Sequence, residues 1–251
     1  SSDICGTPLY IACKKGHTNI VQLLLTRKDI LINKTDPHNI LRPPLYIACE
    51  EGHTDIVQLL LTRKDINVNL HDHFSHGPLY IACEKGHIDV VRLLLTRKDI
   101  NVNLQDPFYH GPLYIACEKG HTDIVRLLLD RPEIKINIKQ SSHFLHGSPF
   151  LYGSPYIADE LYIAREKGHT DIVRLLLDRP EIKIDIDSNQ TMNNGQTPLT
   201  MACRDGYVNV VRLLLDRDDV GVNKADIRGR TPLYAACDHE DESKAELARR
   251  T

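Results

Sequence analysis

The chain carries 13 histidines and 7 cysteines in 251 residues. That supply of nucleophilic and metal-ligating side chains makes catalysis or metal binding the first question. Five histidines, His17, His53, His87, His121 and His169, each follow a glycine in the same recurring context. Catalysis has no use for five evenly spaced copies, whereas a structural hydrogen bond in a repeated turn does. Six of the others sit differently: His71, His73 and His76 share one loop, His110 lies in the next, and His143 and His146 in the one after. Loops of this kind, if stacked side by side, bring imidazoles together. A closed zinc site needs about four ligands converging at ~2 Å, and no cysteine joins these histidines. Contact with another protein, or mere exposure, is the preferred reading, and no metal or cofactor is expected. Ser141, Ser142 and His143 are adjacent, yet nothing supplies an oxyanion pocket or orients a base. No glycine-rich phosphate loop occurs. The chain is expected not to be an enzyme.

Six cysteines, Cys13, Cys49, Cys83, Cys117, Cys203 and Cys237, recur at one position of a repeat, and only Cys5 stands outside it. Stacked helices lie ~8–10 Å apart, and a disulfide needs Cα atoms within ~7 Å. These six therefore stay unpaired and read as small core residues of a reduced, intracellular and cytoplasmic protein. The formal net charge is -3, and acidic and basic residues alternate rather than forming a basic face, which argues against nucleic acid. No apolar run is long enough to span a membrane, and no signal peptide is visible. The chain opens at Ser1, inside a repeat, which suggests a segment of a longer or processed protein.

Repetition positions all these residues. Leu79–Leu104, LYIACEKGHIDVVRLLLTRKDINVNL, matches Leu45–Leu70 at 22 of 26 positions. Copies begin at Leu9, Leu45, Leu79, Leu113, Leu161, Leu199 and Leu233, with spacings of 36, 34, 34, 48, 38 and 34. A repeat that cannot bury its apolar face alone must stack on its neighbours. Within the unit, Pro suits the first helical position, and a preceding Thr or Ser can cap it. Leu79, Ile81, Ala82 and Cys83 predict a short first helix that Gly86 ends. Ile88–Leu95 predicts a second helix, apolar on nearly two sides, followed by an extended polar loop. Asp89–Arg92, Asp123–Arg126 and Asp171–Arg174 are spaced as i, i+3 ion pairs.

The pattern T-P-L-x-x-A, then G-H, V-x-L-L-L and D-V-x-N, resembles the ankyrin repeat over nearly the whole chain. It departs in three ways: Tyr10, Tyr46, Tyr80, Tyr114, Tyr162 and Tyr234 replace the motif's His, Cys often replaces the second Ala, and the period is mostly 34 rather than 33. The resemblance implies an all-α ankyrin-repeat solenoid of about seven helix–turn–helix repeats with extended β-hairpin-like loops. It further implies partner binding through the loop tips and a concave face. That face carries Lys14-Lys15, Glu50-Glu51, Glu84-Lys85, Glu118-Lys119, Glu166-Lys167 and Arg204-Asp205. It also permits hydroxylation of Asn69, Asn103 and Asn223.

The chain reads as a single domain over 1–251, with repeats starting near 7, 43, 77, 111, 154, 197 and 231. Repeat 1 has the apolar pattern of an interior repeat with nothing upstream to cover it, so self-association through this end is one expectation. The loops His71–Gly77 and Gln105–Gly111 place aromatic residues where the repeat pattern implies no core partner. An insertion at about 141–160 adds 14 residues to the period, and Arg165 replaces the cysteine of its repeat. Residues 231–251 turn polar and read as a C-terminal cap. The candidate partner-binding residues are Phe74, His76, Phe108, Tyr109, His110, Phe144, His146, Phe150 and Tyr152. The expected function is a non-enzymatic protein–protein interaction scaffold. Two alternatives stand beside it: a self-assembling structural protein that forms oligomers or filaments, and a substrate-recruiting segment of a larger enzyme or adaptor.

Overall fold

The computed structural model describes residues 7–35, 42–136, 160–179, 195–216 and 220–237. It comprises two compact units, residues 1–135 and 136–251. In the first unit the helices are α1 (Pro8–Lys14), α2 (Thr18–Leu25), α3 (Pro44–Glu50), α4 (Thr54–Leu61), α5 (Pro78–Lys85), α6 (Ile88–Leu95), α7 (Pro112–Lys119) and α8 (Thr122–Leu129). The second has α9 (Glu160–Glu166), α10 (Thr170–Leu177), α11 (Pro198–Arg204), α12 (Val208–Leu215) and α13 (Pro232–Cys237). No strand forms among the described residues, and the hairpin-like character expected of the loops is confined to their tips. The insertion before residue 160 and the cap beyond residue 237 lie outside the described residues, as does Cys5.

In the first unit, first helices stack in the series α1, α3, α5, α7, and second helices in the series α2, α4, α6, α8. Every described first helix but α9, which begins at Glu160, opens on proline, and Thr7 and Thr197 accept a hydrogen bond from the backbone three residues on. Gly77 and Gly111 precede α5 and α7 without a side-chain cap. The glycine that ends the first helix has a second reason to be glycine. Gly52 has φ +73, and a Cβ there would lie 2.7 Å from the His87 ring of the next repeat. His87 Nε2 donates to the Glu50 carbonyl at 3.1 Å, and His121 Nε2 to that of Glu84 at 3.3 Å. The Gly-His pair is therefore an inter-repeat clasp, in keeping with the structural role that its recurrence suggests.

The core is aliphatic. Leu45, Ile56, Val57 and Leu60 are fully buried, as are Val91 and Leu94 one repeat on, and each such side chain contributes roughly 1.5–3 kcal/mol. Cys13, Cys49, Cys83 and Cys117 are buried free thiols, and burial pushes the Cys13 thiol up to about 12. Cys203 is half-buried and Cys237 exposed, so the small-core reading of the cysteines holds only for the first four. Tertiary position overrides repeat position at the last two.

Polar side chains tie the loops of successive repeats together. Asn69 Nδ2 donates to the Asp99 carbonyl at 2.7 Å while its Oδ1 accepts from Asn101 N at 2.7 Å. Asn103 does the same with Glu133 and Lys135. Arg97 forks onto Asp99 and donates from Nη1 to the Leu61 carbonyl, an otherwise unsatisfied helix end of the preceding repeat. Arg131 repeats this on Glu133 and the Leu95 carbonyl. The expected pairs Asp89–Arg92 and Asp123–Arg126 do not form among the described residues. The loop forks Arg97–Asp99 and Arg131–Glu133 form instead. Spacing brought the residues to one helix face, but the charges that close were two residues apart in the loop.

Candidate interaction surface at the loop tips

Each tip is built around one aspartate. The Asp72 N–H donates to the His76 carbonyl and its own carbonyl accepts from Ser75 N, both at 3.0 Å. Its carboxylate Oδ1 accepts from Phe74 N at 2.9 Å and from His76 N at 3.0 Å. Four hydrogen bonds to one residue close a tight turn and leave the Asp72 side chain 1% exposed. Asp106 makes the same set with His110, Tyr109 and Phe108. In the second unit Asp226 does so with Arg228, Gly229 and Arg230, and its Oδ2 also accepts from Arg230 Nε at 2.8 Å. Burial alone would raise the Asp226 carboxyl, but the donors of Arg230 and Arg228 outweigh it and hold the group below its usual range.

The third residue after each aspartate has a left-handed backbone. It is Gly229 (φ 76) in one tip, Ser75 (φ 69) and Tyr109 (φ 67) in the others. Non-glycine residues there cost roughly 1–2 kcal/mol. The turn imposes that cost on Tyr109 and yet leaves its ring 63% exposed, with Phe74 at 54% and Phe108 at 47%. Three aromatic side chains are thus displayed on turns closed by hydrogen bonds to Asp72 and Asp106.

The tip histidines behave differently. His76 stacks on Tyr80 with ring centroids 3.9 Å apart and planes 4° off parallel. Its two nitrogens lie 3.8 Å from Asp72 Oδ2 and 3.6 Å from Asp106 Oδ2. His110 stacks on Tyr114 at 4.1 Å, with Nδ1 3.2 Å from Asp106 Oδ2. Both imidazoles turn inward, and His76 joins its own tip to the next, while Phe74, Phe108 and Tyr109 project outward. The arrangement combines an apolar, aromatic edge with a buried carboxylate–imidazole row behind it. Among the described residues no group of three or more His, Cys, Asp or Glu side chains is arranged to hold a metal ion. Phe144, His146, Phe150 and Tyr152 lie outside the described residues.

A family model for ankyrin repeats in sets of three matches residues 2–72, 65–140 and 161–248. The chain belongs to the ankyrin-repeat family. Ankyrin repeats are protein–protein interaction modules. A similar solved structure is the crystal structure of the human ASB11 ankyrin repeat domain, with a TM-score of 0.69 and 22% identity over 97% of this chain and 98% of that one. At this identity the likeness speaks for the fold. No curated protein matches the chain. No helix among the described residues is long and apolar enough to cross a membrane.

Within the ankyrin frame, the sequence reading found the displayed aromatics and missed the aspartates that display them. The signal was present: Asp72, Asp106 and Asp226 recur at the same distance before Pro-Leu. An aspartate at the first position of a short loop caps backbone N–H groups two and four residues on. The left-handed site at Tyr109 was also legible, through its register with Gly229.

Proposed function

We propose that this ankyrin-repeat chain is a binding scaffold that holds a partner protein on the tips His71–Gly77 and Gln105–Gly111 and on the adjoining first-helix face. The observation that supports this is Tyr109. A strained backbone is tolerated at a functional position more readily than elsewhere, and here it carries an exposed aromatic ring beside Phe108. Aromatic residues are the commonest energetic centres of protein interfaces. The test is crosslinking capture from native lysate by the wild-type chain and by a variant with Phe74, Phe108 and Tyr109 all changed to Ser. Equal helicity by circular dichroism is confirmed first. One captured protein that the variant loses supports the reading, and unchanged capture overturns it.

A second reading, self-association through the first repeat, has its own support. Ile11 is 41% exposed and Ile20 48%, whereas Ile47 and Ile56 at the same positions one repeat on are buried. Sedimentation across a wide concentration range tests it. A mass that rises with concentration and is held at that of the monomer by Ile11→Asp with Ile20→Asp supports it, and a constant monomer mass removes it.

A further inference from the structure

One register runs through the tips and first helices. The residue that closes each tip stands four before a tyrosine and eight before a glutamate: Arg42, Tyr46 and Glu50; His76, Tyr80 and Glu84; His110, Tyr114 and Glu118. In the second repeat this trio is a complete arginine site occupied by the chain's own residue. The Arg42 guanidinium lies over the Tyr46 ring, 4.9 Å from its centroid. Its Nη1 donates to Glu50 Oε1 at 2.5 Å and to Oε2 at 2.7 Å. An aromatic face and a carboxylate are the two features a planar guanidinium selects.

The third repeat keeps the helix and changes the tip residue. His76 covers the Tyr80 ring, as Arg42 covers Tyr46, but its nitrogens turn to Asp72 and Asp106. Glu84 is left with the adjacent Lys85, 3.9 Å away, and its side chain is 30% exposed against 17% for Glu50. An ion pair between such partly exposed neighbours is weak. In the third repeat the ring face is taken by His76, and what is left open, at 30% exposure, is the Glu84 carboxylate beside that stack. The slot is continuous with the aromatic edge, since the Phe74 ring lies 5.8 Å from that of His76.

We propose that Glu84, beside the His76–Tyr80 stack, receives an arginine side chain of the partner protein, as Glu50 receives Arg42. This rests on the protein-binding reading and specifies the partner's chemistry: an arginine next to apolar residues that meet Phe74. Arginine is favoured over lysine because its flat guanidinium can lie against the exposed tip aromatics while it engages the carboxylate. Glu118 stands in the same register one repeat on.

The test uses the full chain and a fluorescent peptide of arginines spaced by Gly-Ser, with its lysine counterpart as control. Glu84→Gln removes the carboxylate. His76→Arg sets a competing guanidinium at the position of Arg42, and the fold accepts arginine at that position twice, as Arg42 on Glu50 and as Arg230 on Asp226. The expected result is tighter binding of the arginine peptide than of the lysine peptide, a loss of roughly fivefold in each variant, the scale of a partly exposed ion pair, and a gain with Arg42→His. His76→Arg is expected to melt no lower than wild type, so its loss of binding cannot be assigned to misfolding. Unchanged binding in both variants, or equal binding of the lysine peptide, overturns the proposal. If lysate capture depends on Phe74, Phe108 and Tyr109 but not on Glu84, the arginine slot falls while the scaffold reading stands. If it depends on Glu84 alone, the aromatic-tip reading falls.

Discussion

The first and third repeats are built from the same kinds of residue and have different surroundings. Ile11 and Ile81 occupy one helix position, yet Ile11 is 41% exposed and Ile81 3%. Arg27 and Arg97 make the same fork, with Asp29 and Asp99, but only Arg97 also reaches back to a carbonyl of a preceding repeat. The difference shows where the stability of this chain resides. In a stack of repeats each unit contributes little alone, and the contact with its neighbour supplies the rest. A residue's burial is set by its place in the series and not by its local sequence.

That contrast can be broken most forcefully at the two isoleucines. Ile81→Ala is expected to cost about 2–5 kcal/mol, the range for a buried aliphatic truncation. Ile11→Ala is expected to cost less than about 1 kcal/mol. Chemical denaturation read by helicity measures both, and equal losses would remove the distinction. The next largest effect belongs to the Gly-His clasp. Gly206→Ala, where φ is +72 and nothing lies within 4 Å of the new Cβ, loses roughly 1–2 kcal/mol to backbone strain. Gly52→Ala carries the same strain and also displaces the His87 ring, adding about 1–3 kcal/mol of overpacking. The gap between the two midpoints isolates the clasp.

A smaller loss, about 1–2 kcal/mol for stranded backbone partners, is expected from Asn69→Ala, which unties the Asp99 carbonyl and Asn101 N–H. Faster hydrogen exchange at Asn101 with little change in α4 would localise the effect to the loop. Smallest is the arginine pair. Arg97→Ala gives up its bond to the Leu61 carbonyl, roughly 1 kcal/mol, while Arg27→Ala leaves the melting temperature where it was. A matching drop for both would mean that the fork with the aspartate, and not the reach across repeats, carries the stabilisation.

Much of this was legible in the sequence. The period, the proline that opens every described first helix but α9 and the glycine that follows the helix marked out the helix pairs, and Ile88–Leu95 is a helix with those bounds. The exposed aromatics were legible because Phe74, Phe108 and Tyr109 break the repeat's own apolar pattern. Three things were not. The helix-face charges of Asp89 and Arg92 do not pair, whereas Arg97 and Asp99 do, through a loop geometry that helical spacing cannot express. The inward turn of His76 and His110 depends on the tyrosines beneath and the carboxylates beside them, which only the stacked structure brings together. Cys237 is exposed although its motif is that of the buried cysteines.

The most direct measurement places a photo-crosslinking amino acid at Tyr109 in one chain and at Arg92, on an exposed second-helix face, in another. Both are irradiated in native lysate and the adducts compared by mass. The expected result is a single protein adduct at position 109 that is absent at position 92 and that an excess of unlabelled wild-type chain competes away. Equal adducts at the two positions, or an adduct at 92 alone, would contradict binding through the aromatic tips.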